Sequence, residues 1–283
     1  MREIIQETLI DSLKLIPFLL IAFLIIEFIE HKLTQKNKKI LIKSKKYGPI
    51  LGSLLGVIPQ CGFSVMATNL YITKIISLGT LIAIYLSTSD EMLPILISQN
   101  APINKILTIL LIKVLFAILY GIIIDTIINK KGNKEKETFN ICEEEDCHCE
   151  KGILKPAIKH TLHIVVFILI INFIINTVFT YIGEDLLSKL LLKESIFAPF
   201  VTSLIGLIPN CGASVILTEL YLNNAINLPS LISGLLTGSG TAILVLFKSN
   251  KNLKENISIL ILLYILGAIS GLTIQIINLL IKM

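Results

Sequence analysis

Eight apolar stretches, at about residues 8–30, 48–73, 75–98, 104–128, 157–180, 197–222, 227–247 and 257–281, constrain this chain more than anything else in it. Each approaches or exceeds the length a helix needs to cross ~30 Å of hydrocarbon. Only 16% of the residues are charged, and those charges are clustered. A soluble domain spreads its charges over its surface, so the pattern predicts an all-α membrane protein. The period-2 alternation of a membrane β-barrel is absent. The first stretch ends in charge and lacks a small-residue cleavage site, so it is read as a span and not as a signal peptide. Five cysteines in such a chain do not make a secreted disulfide framework.

The stretches form two sets of four. "SLLGVIPQCGFSVMATNLY" at 53–71 returns 150 residues later as "SLIGLIPNCGASVILTELY" at 203–221, with 12 of the 19 positions identical. This divides the chain into a first membrane repeat at 1–128, a Cys- and acid-rich linker at 129–156 and a second membrane repeat at 157–283. Duplication of this size is a common feature of transporters.

The lysines test the topology. If all eight stretches cross once, the basic residues outside the membrane divide 11 against 13, leaving Lys113 aside. If 48–73 and 197–222 each enter and leave on one side, the division becomes 18 against 6. The positive-inside rule favours the second arrangement. It predicts two inverted repeats, each with three transmembrane helices and one broken re-entrant hairpin, about ten helices in all. Both termini then lie outside and the linker lies in the cytoplasm. Pro59 and Pro209 lack a backbone donor, while Gly62 and Gly212 permit a tight turn. Arms of about a dozen residues reach ~18 Å, to mid-bilayer. The competing explanation, ordinary proline kinks packed for helix spacing, leaves the lysine distribution unexplained.

The chemistry concentrates at mid-membrane. Asp90 and Glu91 follow Ser87, Thr88 and Ser89 and precede Pro94, inside an apolar stretch. A carboxylate at the bilayer centre costs ~2.5–3.5 kcal/mol even on the lenient insertion scale, so the pair predicts an unwound helix facing a cavity. Carboxylate oxygens suit cations such as Mn²⁺ and can also exchange protons. The alternative is a charge pair neutralised by Lys113 or Lys74. In the second repeat Thr237, Gly238, Ser239 and Gly240 replace Ser87–Asp90, which keeps the break and loses the charge. At the hairpin tips Cys61 and Cys211 offer thiols, and Gln60, Asn210, Ser64 and Ser214 offer neutral groups beside them. Asn69 aligns with Glu219, a third acid. Thiolates favour softer metals or arsenite; protonated, the same cysteines are small apolar residues. Asp125, Glu27, His160 and His163 are read as interfacial. In the linker, Cys142, Cys147, His148 and Cys149 crowd among acids without the C-x2-C pairs of a folded zinc finger. They form either a loose, exchangeable soft-metal site or a solvated loop.

"IPQCGFS", "LSTSDEMLPILIS" and "IPNCGASVILTELYL" together resemble the ten-helix heavy-metal exporters of prokaryotes, a family also labelled arsenic-permease-like or manganese transporter. The resemblance covers nearly the whole chain and implies metal or metalloid efflux across the cytoplasmic membrane. The expected function is a secondary transporter exporting a divalent transition-metal cation, Mn²⁺ first. Alternatives are an efflux permease for arsenite, organoarsenicals, Zn²⁺ or Cd²⁺, a metal-ion channel, and a membrane-embedded metal-dependent enzyme. The spans hold no H-E-x-x-H and the chain no nucleotide-binding G-x-x-x-x-G-K-[ST], so no catalysis and no resident cofactor are expected. Protons are the expected coupling ion. The expected partners are the lipid bilayer, the metal and a second copy of the chain, and not nucleic acid.

Overall fold

The computed structural model describes residues 47–58, 61–89, 91–130 and 195–282, with helical residues at 16–24 and 158–177 described in part. Among the described residues every regular element is a helix. In the first half these are α1 (Gly48–Gly56), α2 (Cys61–Ile72), α3 (Leu78–Ser87), α4 (Met92–Ser98) and α5 (Ile103–Lys130). In the second they are α6 (Ala198–Gly206), α7 (Cys211–Leu222), α8 (Leu228–Thr237), α9 (Ala242–Ser249) and α10 (Leu253–Lys282). Each helix of the second set begins 150 residues after its counterpart. The linker and the first span of the sequence reading lie largely outside the described residues.

The joints between helices are repeated as closely as the helices. After α2, Ile75 N donates to Leu70 O and Lys74 N to Tyr71 O; after α7, Ala225 N donates to Leu220 O and Asn224 N to Tyr221 O. These are Schellman closures, which need a left-handed residue after the helix. Lys74 (φ 60) and Asn224 (φ 58) fill that place where glycine is usual. The next helix is capped at once. Ser77 accepts from Thr80 N, and Asn227 accepts from Ser230 N. Short polar side chains at these N-caps satisfy otherwise orphaned backbone donors.

Packing fixes the direction of each piece. Gly48 abuts Thr80, Gly52 abuts Ile84 and Gly56 abuts Ser87, so α1 and α3 run parallel. Ser233 Oγ donates to Pro199 O at 2.6 Å, and Thr237 Oγ1 donates to Ser203 O at 2.9 Å, which sets α6 parallel to α8. Gly79 meets Asp125 while Ala83 meets Gly121, and Pro229 meets Gly271 while Thr237 meets Gly267, so α5 and α10 run antiparallel to α3 and α8. Because α1 and α3 start at one level, α2 must bring the chain back to where α1 began. The same holds for α7. Contacts this close depend on small residues. A Cβ on Gly206 would lie 2.0 Å from Gly234 O. Where lipid is as apolar as leucine, such backbone approach holds helices together better than greasiness does.

The return arms find their partners in the opposite half: α2 packs on α9, and α7 on α4. Tyr71 on α2 donates to the carboxylate of Glu255 at the start of α10. Ser270 Oγ donates to Tyr120 Oη at 3.1 Å, joining two positions that are 150 residues apart and therefore equivalent. The broken helices lie innermost. Residues 79–87 of α3 and 229–237 of α8 are all buried. Outside them, α5 exposes Leu107, Leu111, Leu115 and Leu119, and α10 exposes Ile257, Ile261, Ile265 and Ile269. These i, i+4 stripes are faces for lipid. Four described helical stretches are long and apolar enough to cross a membrane: Leu78–Ser98, Ile103–Ile128, Leu228–Ser249 and Leu253–Ile281.

Candidate functional site

Two of those four stretches are interrupted midway, and the interruptions are polar. The first follows Ser87. Thr88 leaves helical geometry (φ −52, ψ 128) while its hydroxyl folds back on Ile84 O at 2.7 Å. Ser89 Oγ donates to Ser87 O at 3.2 Å, and Ser89 O accepts from Met92 N as α4 begins. Glu91 is the N-cap of α4, half-buried, and its side chain makes no capping bond. Asp90, the residue between, lies outside the described residues.

The second interruption follows Thr237. Gly238 turns the chain out of the helix (ψ 89) and Gly240 takes φ 56. Gly240 is the counterpart of Asp90, so the second repeat puts a glycine where the first has its acid. Ser239 and Thr241 are each 1% exposed. Neither hydroxyl finds a hydrogen-bond partner among the described residues. Unsatisfied buried hydroxyls cost ~1–3 kcal/mol each, and groups of this kind call for a ligand, an ion or water.

The first turn of α2 lies against the second break. Ser64, one turn into α2, donates to Ser239 O at 3.5 Å. Thr68 on the same arm donates to Ser64 O and shares a 2.6 Å bond with Tyr85 Oη of α3. At the second tip Asn210 is buried and accepts from Gly212 N at 3.3 Å, starting α7. Cys211 is buried, and its carbonyl accepts from Ser214 Oγ at 2.7 Å. Pro59, Gln60 and the thiol of Cys61 fall outside the described residues, as do Cys142, Cys147, His148 and Cys149.

Asn69 and Glu219 sit eight residues along their arms from the tip cysteines, a rise of ~12 Å. That places them at another level from the tips. Asn69 is 3% exposed, and its Nδ2 has no partner among the described residues. Glu219 is half-buried. Among the described residues no three His, Cys, Asp or Glu side chains gather as a metal cluster. The described groups at the breaks are hydroxyl and carbonyl oxygens, with the half-buried Glu91 at the first.

Two charged residues hold positions that local pattern did not give them. Lys113 is buried and donates to Thr88 O and to Leu235 O, joining both broken helices. Asp125, read from the sequence as interfacial, caps a helix. It accepts from Ser77 Oγ at 2.7 Å and from Gly79 N at 2.9 Å, at the positive end of α3.

Helices of membrane length, broken at polar turns and flanked by lipid-facing helices, define a multi-pass membrane protein with a polar interior. Comparison of sequences takes this further. The chain belongs to the family described as "Putative, 10TM heavy-metal exporter", whose profile matches residues 1–186, 128–252 and 173–281. No curated protein and no solved structure matches the chain.

Proposed function

We propose that the protein is a secondary transporter that exports a divalent transition-metal cation, Mn²⁺ foremost, from the cytoplasm. The observation that carries this reading is the pair of polar helix breaks at 88–91 and 238–241, set within helices of membrane length and lined by oxygen. Thr88, Ser89, Ser239 and Thr241 supply neutral oxygens at the breaks, and the sequence adds Asp90 and Glu91. Oxygen donors of this kind suit Mn²⁺ better than soft metals.

The packing directions support the rest. With α1 parallel to α3, α1 and α2 form a hairpin that enters and leaves the membrane on one side; α6 and α7 do the same. The contact of Tyr71 and Lys74 with Glu255 sets the exit of the first hairpin beside the start of α10. Since α10 runs antiparallel to α8, the second hairpin enters from the far side. These directions support two inverted repeats with the breaks near mid-membrane, as in transporters that alternate access around a central site. Basic residues assign the side of Lys74, Lys251 and Lys254 to the cytoplasm. The linker then meets intracellular metal, which fits export. Protons carried by Asp90 and Glu91 couple the movement.

The test is a metal-sensitivity panel in a host lacking its own exporters, with cell metal measured. Expression should lower intracellular Mn²⁺, and Asp90→Asn should abolish the effect. An arsenite permease is the second reading, favoured by the buried Cys211 at the second tip. Replacing both Cys61 and Cys211 by Ser should spare Mn²⁺ resistance and cripple arsenite efflux. Loss of Mn²⁺ resistance in that double variant would reverse the order of the two readings.

A further inference from the structure

Lys113 is 1% exposed, and among the described residues no other charged side chain is buried. Its two carbonyl partners are the ends of helices. Thr88 is the C-cap of α3, and Leu235 lies in the last turn of α8, 3.1 Å from Nζ. The last backbone bond of α8 runs from Gly238 N to Gly234 O, after which the chain turns away. Leu235 O is thus left without its i+4 donor among the described residues and is taken by the amine. Each helix C-terminus carries roughly half a negative charge. Two such ends converge on one point, and the group at that point is an ammonium. The equivalent position of the second repeat is Leu263, fully buried and apolar. One amine therefore serves both helix ends.

We propose that the meeting point of α3 and α8 is a monovalent-cation site that the chain fills with its own Lys113 ammonium. Carbonyl oxygens at helix ends are ligands that Na⁺ and K⁺ also use in broken-helix membrane proteins. A tethered ammonium satisfies the same oxygens permanently, so the two breaks are held together without a free alkali ion. Lys113 is a positioning residue here. Its role does not depend on which metal the protein carries or on the direction of transport.

The experiment is thermal unfolding of the purified full-length protein in detergent, in choline, sodium, potassium or methylammonium chloride at equal ionic strength. The wild type should unfold at one temperature in all four salts, and Lys113→Arg should remain equally indifferent. Lys113→Ala should lose roughly 5–10 °C in choline. Millimolar Na⁺, K⁺ or methylammonium should recover at least half of that loss, saturably. The proposal is overturned if Lys113→Ala matches the wild type in choline, or if its loss responds to none of the cations. A variant that cannot be purified folded in any of the four salts counts equally against it. A wild type that itself gains stability from Na⁺ or K⁺ would show that the site is not filled from within.

Discussion

Lys74 Nζ lies 3.5 Å from Glu255 Oε1, and the Tyr71 hydroxyl donates to the same carboxylate. This ties the exit of the first hairpin to the start of the last helix. Asn250 and Asn252 also reach Glu255, each at 3.4 Å. A hydrogen bond to a charged group contributes ~1.5–3 kcal/mol, whereas a partly exposed ion pair contributes ~0.2–1 kcal/mol. Tyr71→Phe should therefore lower thermal stability more than Lys74→Gln. In a Glu255→Gln background, Tyr71→Phe should cost clearly less than it does alone. Unfolding of the wild type and these four variants in detergent decides this; equal costs of Tyr71→Phe in both backgrounds would mean the bond contributes nothing.

Close helix approach gives a sharp contrast between two glycines in one break region. Gly206→Ala forces a methyl to 2.0 Å from Gly234 O and 2.2 Å from Thr237 Oγ1. Backbone on one side leaves it no room, so the parallel pair α6–α8 must separate. Gly238 has φ −73, and its nearest neighbour to an added Cβ is 3.6 Å away. Gly206→Ala should abolish the folded, monodisperse protein on size-exclusion chromatography, and Gly238→Ala should not.

Asp125 holds the start of α3 through two charge-assisted bonds. Asp125→Ala leaves Gly79 N and the hydroxyl of Ser77 without that carboxylate. The expected cost is ~1–3 kcal/mol, read as a lowered unfolding temperature. Asp125→Asn keeps the shape but not the charge and should fall between Ala and wild type.

The hairpin proposal predicts sidedness. In a cysteine-free chain, single cysteines at Tyr47 and Lys74 should react with an impermeant thiol reagent from the same side of the membrane. A cysteine at Asn223, exposed at the exit of the second hairpin, should react from the other side. Tyr47 and Lys74 labelled from opposite faces would end the re-entrant reading.

Much of the architecture was legible because its signals are local. Proline and glycine punctuate the helix ends, a serine-threonine run marks the first break, and the "TGSGT" stretch marks the second. The 150-residue offset carried over to every described helix start, and even to the left-handed Lys74 and Asn224. From the sequence, Lys113 or Lys74 stood only as an alternative counter-charge for Asp90 and Glu91, and Glu255 had no assigned partner. Among the described residues Lys113 also meets two backbone carbonyls, which carry no signature in side-chain composition. Glu255 meets Tyr71 and Lys74 only because the two halves interlock, and a pattern read along one helix cannot see that. Asp125 was placed at a helix end correctly, but its partners Ser77 and Gly79 lie across a turn of tertiary structure.

The interlocking has a consequence for how the chain comes into being. The arm Cys61–Ile72 packs on Ala242–Ser249, a segment that leaves the ribosome long after the arm itself. Until then the first arm has only its own half to pack on, through contacts such as Thr68 with Tyr85. A chain truncated before residue 242 lacks that partner and is expected to be cleared by membrane quality control rather than to persist as a half-sized carrier.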